Sequence, residues 1–225
     1  RLLGEKINVR GLAVDWVHAP FRIPVIYDAS SEMYHLSMGA MKCVLDIAAE
    51  LGGDTVIVHA MNQDFPEDIA TTPYLEQLIE AYTVLVSYAR ERGVKVAVEN
   101  IDEPYSFPIL QTLFDQVDGL TFCFDTGHAQ KYKVWDQYIP RYIGKISALH
   151  IHDNHGEIDE HLIPGDGIID FGDLCSRLDM AGYNGYLGVE CVQRVSDYPG
   201  TCESLPPLIK QRMADILAYV GASAA

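Results

Sequence analysis

Six residues able to bind cations or move protons sit where apolar runs stop. His18, His59, Glu99, Asp125, His150 and Glu190 each follow directly on a short hydrophobic stretch, at intervals of 41, 40, 26, 25 and 40 residues. Imidazole and carboxylate are the nitrogen and oxygen donors of Mn2+, Mg2+, Co2+, Fe2+ and Zn2+ sites, and the same groups serve as general acids and bases. Taken singly, each residue reads more readily as a satisfied polar group at a strand terminus. Six in succession read differently. Nothing structural requires an acid or an imidazole at every run's end, and three carboxylates gathered without a cation are opposed by mutual repulsion and by desolvation. A divalent ion offsets both. With no thiolate among them, these donors do not choose between the five metals.

Three local clusters add further donors. In Asp125-Thr126-Gly127-His128, a glycine turn is expected to fold the imidazole back toward the acid. In His150-Ile151-His152-Asp153-Asn154, the i, i+2 spacing puts both imidazoles on one face of a strand, one to bind metal and the other to hold substrate or support a ligand. Asp159-Glu160-His161 opens a polar, glycine-bearing loop that runs through Gly165-Asp166-Gly167 and repeats the i, i+2 pairing, although its composition also suits a solvated surface loop. Nine donors exceed the coordination of one ion. Two or three ions are therefore part of the expectation.

The elements that must position these residues follow from the pattern between them. The runs Gly11–Val17, Thr55–Val58, Val94–Val98, Leu120–Phe124, Ile146–Leu149 and Tyr186–Val189 are rich in β-branched residues and nearly continuous, as parallel strands covered on both faces are. Met33–Leu51 has helical spacing and stops at Gly52-Gly53; Tyr74–Arg92 follows Thr72 and Pro73 and ends before Gly93. Helices are also expected over 106–117, 135–143, 171–181 and 207–220. Six strands alternating with helices imply an α/β fold with a parallel sheet, whose active site lies at the C-terminal strand ends. No linker or compositional break divides the chain, so residues 1–225 are expected to form a single domain.

Composition excludes several classes. Of 225 residues, 16 are Lys or Arg and 32 are Asp or Glu, a formal net charge of −16, and no basic cluster interrupts this balance. The surface repels a polyphosphate, so no nucleic-acid partner is expected. The tracts Asn62–Asp68, Asp102–Tyr105 and Asp153–Glu160 are acidic or neutral. No apolar run reaches the roughly 20 residues of a membrane span. Five cysteines, Cys43, Cys123, Cys175, Cys191 and Cys202, form no C-x-x-C pair and read as reduced packing residues of a cytoplasmic protein.

At its clusters the sequence resembles the xylose-isomerase-like TIM-barrel superfamily, which contains sugar-phosphate isomerases and epimerases and the endonuclease IV class of apurinic endonucleases. The carriers are His18-Ala-Pro-Phe21, Val58-His59, Val98-Glu99-Asn100, Asp125-Thr-Gly-His128, His150-Ile-His-Asp153, Asp159 to Gly167 and Val189-Glu190, and they cover essentially the whole chain. The resemblance implies a (β/α)8 TIM barrel. Because only six strands are counted and the chain opens with Arg1, the first strand pair is expected to be missing from an N-terminally truncated barrel. By resemblance to the epimerases, Glu99, Asp125, His150 and Glu190 would hold one divalent ion, with Glu99 and Glu190 on opposite sides of the reacting carbon. By resemblance to endonuclease IV, those four together with His18, His59, His128, Asp159 and His161 would hold three zinc ions.

The leading expectation is a metal-dependent isomerase or epimerase acting on a small carbohydrate through an enediolate-like intermediate, with Glu99 and Glu190 as the acid/base pair. His128 and one of His150 or His152 would orient substrate oxygens. Trp16, Phe21 and Phe65 would wall the pocket or belong to the core, and Arg194 would meet an anionic group or solvent. A zinc phosphodiesterase of the apurinic endonuclease type, a polyol dehydratase and a non-catalytic sugar-binding protein are the alternatives. A homo-oligomer is compatible with each.

Overall fold

The computed structural model describes residues 2–20, 30–60, 73–101, 106–191 and 203–223. Its elements alternate: α1 (Leu2–Val9), β1 (Trp16–His18), α2 (Glu32–Leu51), β2 (Thr55–His59), α3 (Pro73–Arg90), β3 (Lys95–Glu99), α4 (Ser106–Gln116), β4 (Thr121–Asp125), α5 (Thr126–Lys131), α6 (Trp135–Tyr142), β5 (Ile146–His150), α7 (Phe171–Met180) and α8 (Leu205–Ser223). The strands lie in the order β1-β2-β3-β4-β5, so chain neighbours are sheet neighbours. Pairing is parallel from β1 to β4, with His59 opposite Glu99 and Glu99 opposite Cys123. Parallel neighbours need a crossover, and the intervening helices supply it. His18, His59, Glu99, Asp125 and His150 are the last residues of β1 to β5.

The chain forms two compact units. Arg1–Cys123 with Lys145–Ala148 make the first, and Phe124–Gly144 with Leu149–Ala225 the second. In the first unit, Ile57, Ala97, Cys123 and Ala148 form a buried cluster on one sheet face, against which Trp16 packs. The alternate residues Val56, Val58, Val96, Val98 and Phe122 point the other way and are buried as well. Burial on both faces explains why the runs are continuous rather than alternating. Helix α2 starts where the Ser31 hydroxyl accepts from the Tyr34 N–H at 3.1 Å and stops at Gly52, whose φ of 81° a residue with a β-carbon adopts reluctantly. In the second unit, Phe124 meets the rings of Trp135 and Tyr138 edge-on at 5.0 and 6.3 Å. There Asp170 caps α7 by accepting from the Asp173 N–H, and Arg212 of α8 donates to Asp166 at 2.8 Å.

Two expectations are corrected. The segment after Asp125 is a helix, α5, rather than a glycine turn; the Asp125 carboxylate caps it by accepting the His128 N–H at 2.7 Å. The run Tyr186–Val189 makes a single parallel bridge, Val189 to Ile151, because Gly188 brings no side chain to pack and Tyr186 is 65% exposed. Among the described residues, Cys43, Cys123, Cys175 and Cys191 form no disulfide; Cys123 and Cys175 are buried and Cys43 is exposed. Burial, with Asp153, Asp166 and Glu190 nearby, pushes the Cys191 thiol up to about 12. Among the described residues, no helix is long and apolar enough to cross a membrane.

Candidate metal centre

In the first unit, the ends of β1, β2 and β3 bring His18, His59 and Glu99 together, with candidate ligand atoms all within 4.8 Å of one another. His18 Nδ1 lies 2.6 Å from the Ala19 carbonyl oxygen. A carbonyl only accepts, so Nδ1 carries the hydrogen, and Nε2 faces Glu99 Oε2 at 3.3 Å. His59 Nε2 approaches the same oxygen at 3.1 Å, and the two rings meet edge-on at 5.1 Å. Glu99 is 2% exposed. An imidazole lone pair facing a buried carboxylate oxygen calls for a proton or a cation between them.

The second unit holds two overlapping groups. His150 Nδ1, at the end of β5, lies 2.9 Å from Glu190 Oε2 and 3.9 Å from Asp125 Oδ2. The bridge of Ile151 to the strand-like segment 188–190 sets Glu190 beside it, with the Glu190 N–H donating to the Ile151 carbonyl at 3.0 Å. Next to these stand His128, His152, Asp159 and His161, again with candidate ligand atoms within 4.8 Å. His152 Nε2 is 3.0 Å from each oxygen of Asp125. His128 Nε2 and His161 Nε2 lie 3.4 and 3.0 Å from Asp159 Oδ2. His161 Nδ1 sits 3.0 Å from the Glu190 carbonyl oxygen and therefore donates to it, which leaves Nε2 to face Asp159.

The electrostatics record the same crowding. Burial alone would raise the Asp159 carboxyl, yet His128 and His161 hold it far below the usual carboxylate range. Burial would likewise lower the His161 imidazole, but Asp159, with the Glu190 carbonyl and Asp125, pushes it up to about 9. His152 Nδ1 and Asp159 Oδ1 are buried, have no hydrogen-bond partner, and face each other across 3.8 Å. Two electron-rich atoms left in that relation fit a divalent cation, and imidazole with carboxylate is the donor set of such ions. His128, His152, Asp159 and His161 would hold one ion, and Asp125, His150 and Glu190 would contribute to another.

Sequence reasoning passed over the residues that hold these groups in position. Thr126 Oγ1 donates to the His152 carbonyl at 2.7 Å and accepts from the His152 N–H at 3.0 Å. Asn154 Nδ2 donates to the Gly127 carbonyl at 2.9 Å. Buried Asp153 accepts four backbone N–H groups: those of Gly165 and Gly167 on Oδ2, each at 2.9 Å, and those of Asn154 and Ile169 on Oδ1, at 2.9 and 3.1 Å. The sequence signal was a string of polar residues, 152–154, directly behind an apolar strand, with Gly165 and Gly167 spaced to deliver N–H groups. Trp16 packs in the core cluster. Phe21, Phe65 and Arg194, and the tracts 62–68 and 102–105, lie outside the described residues.

A profile of the family described as xylose isomerase-like TIM barrel matches residues 2–211. Among curated proteins, uncharacterized protein y4fM of Sinorhizobium fredii is 28% identical over 164 residues, covering 67% of this chain and 51% of that protein. Inosose dehydratase of Erwinia tasmaniensis is 25% identical over 143 residues, 51% of this chain and 47% of the enzyme. Fructoselysine 3-epimerase of Escherichia coli O157:H7 is 25% identical over 175 residues, 72% of this chain and 62% of the enzyme. The chain thus spans between 47% and 62% of these relatives' lengths. Two solved structures share the fold: a D-tagatose 3-epimerase-like protein (TM-score 0.79, 23% identity, 100% of this chain and 84% of that one) and the IOLI protein with a binding zinc atom (TM-score 0.78, 18% identity, 97% and 81%).

Proposed function

Because the chain belongs to the xylose isomerase-like TIM-barrel family, we propose that it is a divalent-metal-dependent sugar or sugar-phosphate isomerase or epimerase. The observation that carries this reading is the set of buried carboxylates at strand ends, each met by imidazole nitrogens. Glu99 meets His18 and His59, while Asp125 meets His150 and His152. The sugar epimerase and inosose dehydratase among its relatives support a carbohydrate substrate. By the family resemblance, Asp125, His150 and Glu190 would hold the cation. A divalent ion bound there supplies Lewis acidity, polarising a carbonyl and a neighbouring hydroxyl so that the adjoining C–H becomes acidic.

The chain's own groups then move the proton. Glu99 and Glu190 form the acid/base pair, one carboxylate taking the proton from carbon to leave an enediolate-like intermediate and the other returning one. His18 and His59 fix the Glu99 oxygen that faces them. His150, 2.9 Å from Glu190 Oε2, does the same for the second carboxylate.

A phosphodiesterase using two or three zinc ions is the second reading, favoured by the extra group of His128, His152, Asp159 and His161. The net charge of −16 speaks against a DNA substrate. Two assays on one preparation separate these readings: deuterium uptake from solvent at a carbon of D-tagatose, L-ribulose, fructoselysine or an inosose, and cleavage of abasic DNA. Exchange without cleavage is expected, and cleavage without exchange reverses the ranking. Elimination of water from the inosose instead selects the dehydratase. Glu190→Gln should keep the fold and abolish exchange; unchanged turnover would remove Glu190 from the pair.

A further inference from the structure

We propose that the second unit carries a ligand site for a neutral ring polyol, a sugar or a cyclitol, in a pocket formed by α5, α6 and α7. The proposal goes beyond the reaction proposed above and does not depend on it. Among the described residues, none of the acids and imidazoles gathered at the strand ends lines this pocket.

The pocket has a volume of about 240 Å3, small beside the roughly 300–1,000 Å3 of drug-sized ligand sites and suited to a single ring. Its apolar wall is Trp135 and Ile139 of α6 with Ile168 of the loop before α7. The edge-on contact with Phe124 at 5.0 Å fixes the indole. The backbone at Gly156 backs two lining residues, since a β-carbon there would lie 3.4 Å from Ile168 Cδ1 and 3.8 Å from Gln130 Nε2. Ile168 is nevertheless 58% exposed, apolar surface that the C–H groups of a ring would cover.

The polar lining decides the ligand. Trp135 Nε1 is buried without a hydrogen-bond partner, a donor whose desolvation nothing among the described residues offsets. Arg177 Nε donates to Asp173 Oδ2 at 2.7 Å, which holds the guanidinium in place and leaves its terminal N–H groups to donate. Asp136 and Asp170 only accept, and Asp170 already takes the Asp173 N–H at 2.9 Å on one oxygen. Gln130 does both.

Three carboxylates against one guanidinium leave the lining negative, which repels an anion such as a sugar phosphate. An organic cation suits the acids but offers nothing to the indole and guanidinium N–H groups. A hydroxyl donates to a carboxylate and accepts from an N–H at once. A ring that carries several hydroxyls also presents C–H groups to Trp135 and Ile168, and so answers every part of the lining.

Tryptophan supplies the test, because the chain has two, Trp16 and Trp135. The full chain labelled with 15N-tryptophan shows two indole N–H resonances, which Trp135→Phe assigns. Titration with myo-inositol, which has no carbonyl for the proposed reaction to act on, is expected to move the Trp135 resonance saturably. The dissociation constant should be on the order of 1 mM, as befits a small ligand. A second titration with D-tagatose tells a sugar from a cyclitol by which binds more tightly. Asp136→Ala should weaken this binding about tenfold, the cost of one hydrogen bond to a charged group. Glu190→Gln should bind as wild type does. No movement of the Trp135 resonance with either polyol, equal binding by Asp136→Ala and wild type, or loss of binding in Glu190→Gln overturns the proposal. So does tighter binding of putrescine or of a monophosphate of myo-inositol, which would make the pocket a cation or an anion site. Binding that persists while deuterium exchange fails leaves this site standing and sinks the isomerase reading alone.

Discussion

Two glycines matter to the candidate site as much as the residues that would touch a cation, because each leaves space a β-carbon would take. At Gly127 that carbon would collide with the His152 ring, and at Gly167 with the Asp153 carboxylate. Gly127→Ala is therefore expected to displace His152, lowering stability by about 1–3 kcal/mol as overpacking does and weakening zinc binding. Thermal unfolding with and without Zn2+ checks both effects, and an unchanged zinc response would mean that the ring has somewhere else to go. Glu99 gives the opposite sign in the metal-free protein. Its Oε2 faces the nitrogens of His18 and His59, so an amide there can donate where the carboxylate only accepts. Glu99→Gln should melt in chelator at the wild-type temperature or above it, and should lose the part of the zinc-induced rise that depends on Glu99. A large drop in chelator would show that the two imidazoles are protonated partners of Glu99 instead.

At the scale of elements, the loop that carries Asp159 and His161 has no helix or strand to hold it beyond a single antiparallel bridge of Leu162 to Asp153. Asp153 does so with four accepted N–H groups from positions 154, 165, 167 and 169, and its side chain is fully buried. His161 within the loop is left-handed, with φ of 51°, a conformation costly for a residue with a β-carbon and sustained only by its surroundings. Asp153→Asn would turn an amide donor toward some of those N–H groups, at a cost of about 2–3 kcal/mol. Urea unfolding should register it, and hydrogen exchange at Gly165, Gly167 and Ile169 should accelerate. Unaltered exchange at these three amides would assign the loop's order to other contacts. Beyond the polar string 152–154 and the glycines at 165 and 167, this was not legible in the sequence, because the donors lie up to 16 residues from the acceptor. The strands and longer helices were legible, since burial on both faces and glycine exits leave marks in the chain itself. Helix α5 was not: it is six residues long, and Thr-Gly-His propagates a helix poorly. Its one signal was Asp125, an N-cap whose residue type had been read only as a ligand. For the site, the acids and imidazoles were legible by type and spacing, but their grouping was not, because which nitrogen faces which oxygen depends on partners such as the Ala19 and Glu190 carbonyls.

For the molecule as a whole, the excess of acids makes the response to cations the most direct test of what the fold is for. A chain with 32 acidic and 16 basic residues gains a little from any added salt through screening. A site of imidazoles and buried carboxylates behaves differently, because it selects by ligand type. Zn2+ and Co2+ accept nitrogen, whereas Ca2+ wants six to eight oxygens. Zinc at about 100 times its dissociation constant adds about 2.7 kcal/mol to the folded state. For a chain of this length each kcal/mol is worth roughly 2–4 °C, so chelation should lower the melting temperature by about 5–10 °C. Readdition of Zn2+ or Co2+ should restore it, and Ca2+ at equal ionic strength should not. Differential scanning calorimetry of the full chain reads this directly. Equal recovery with Ca2+ would point to general screening of the acidic surface, and no response to either ion would leave the buried carboxylates and imidazoles neutralised by protons alone.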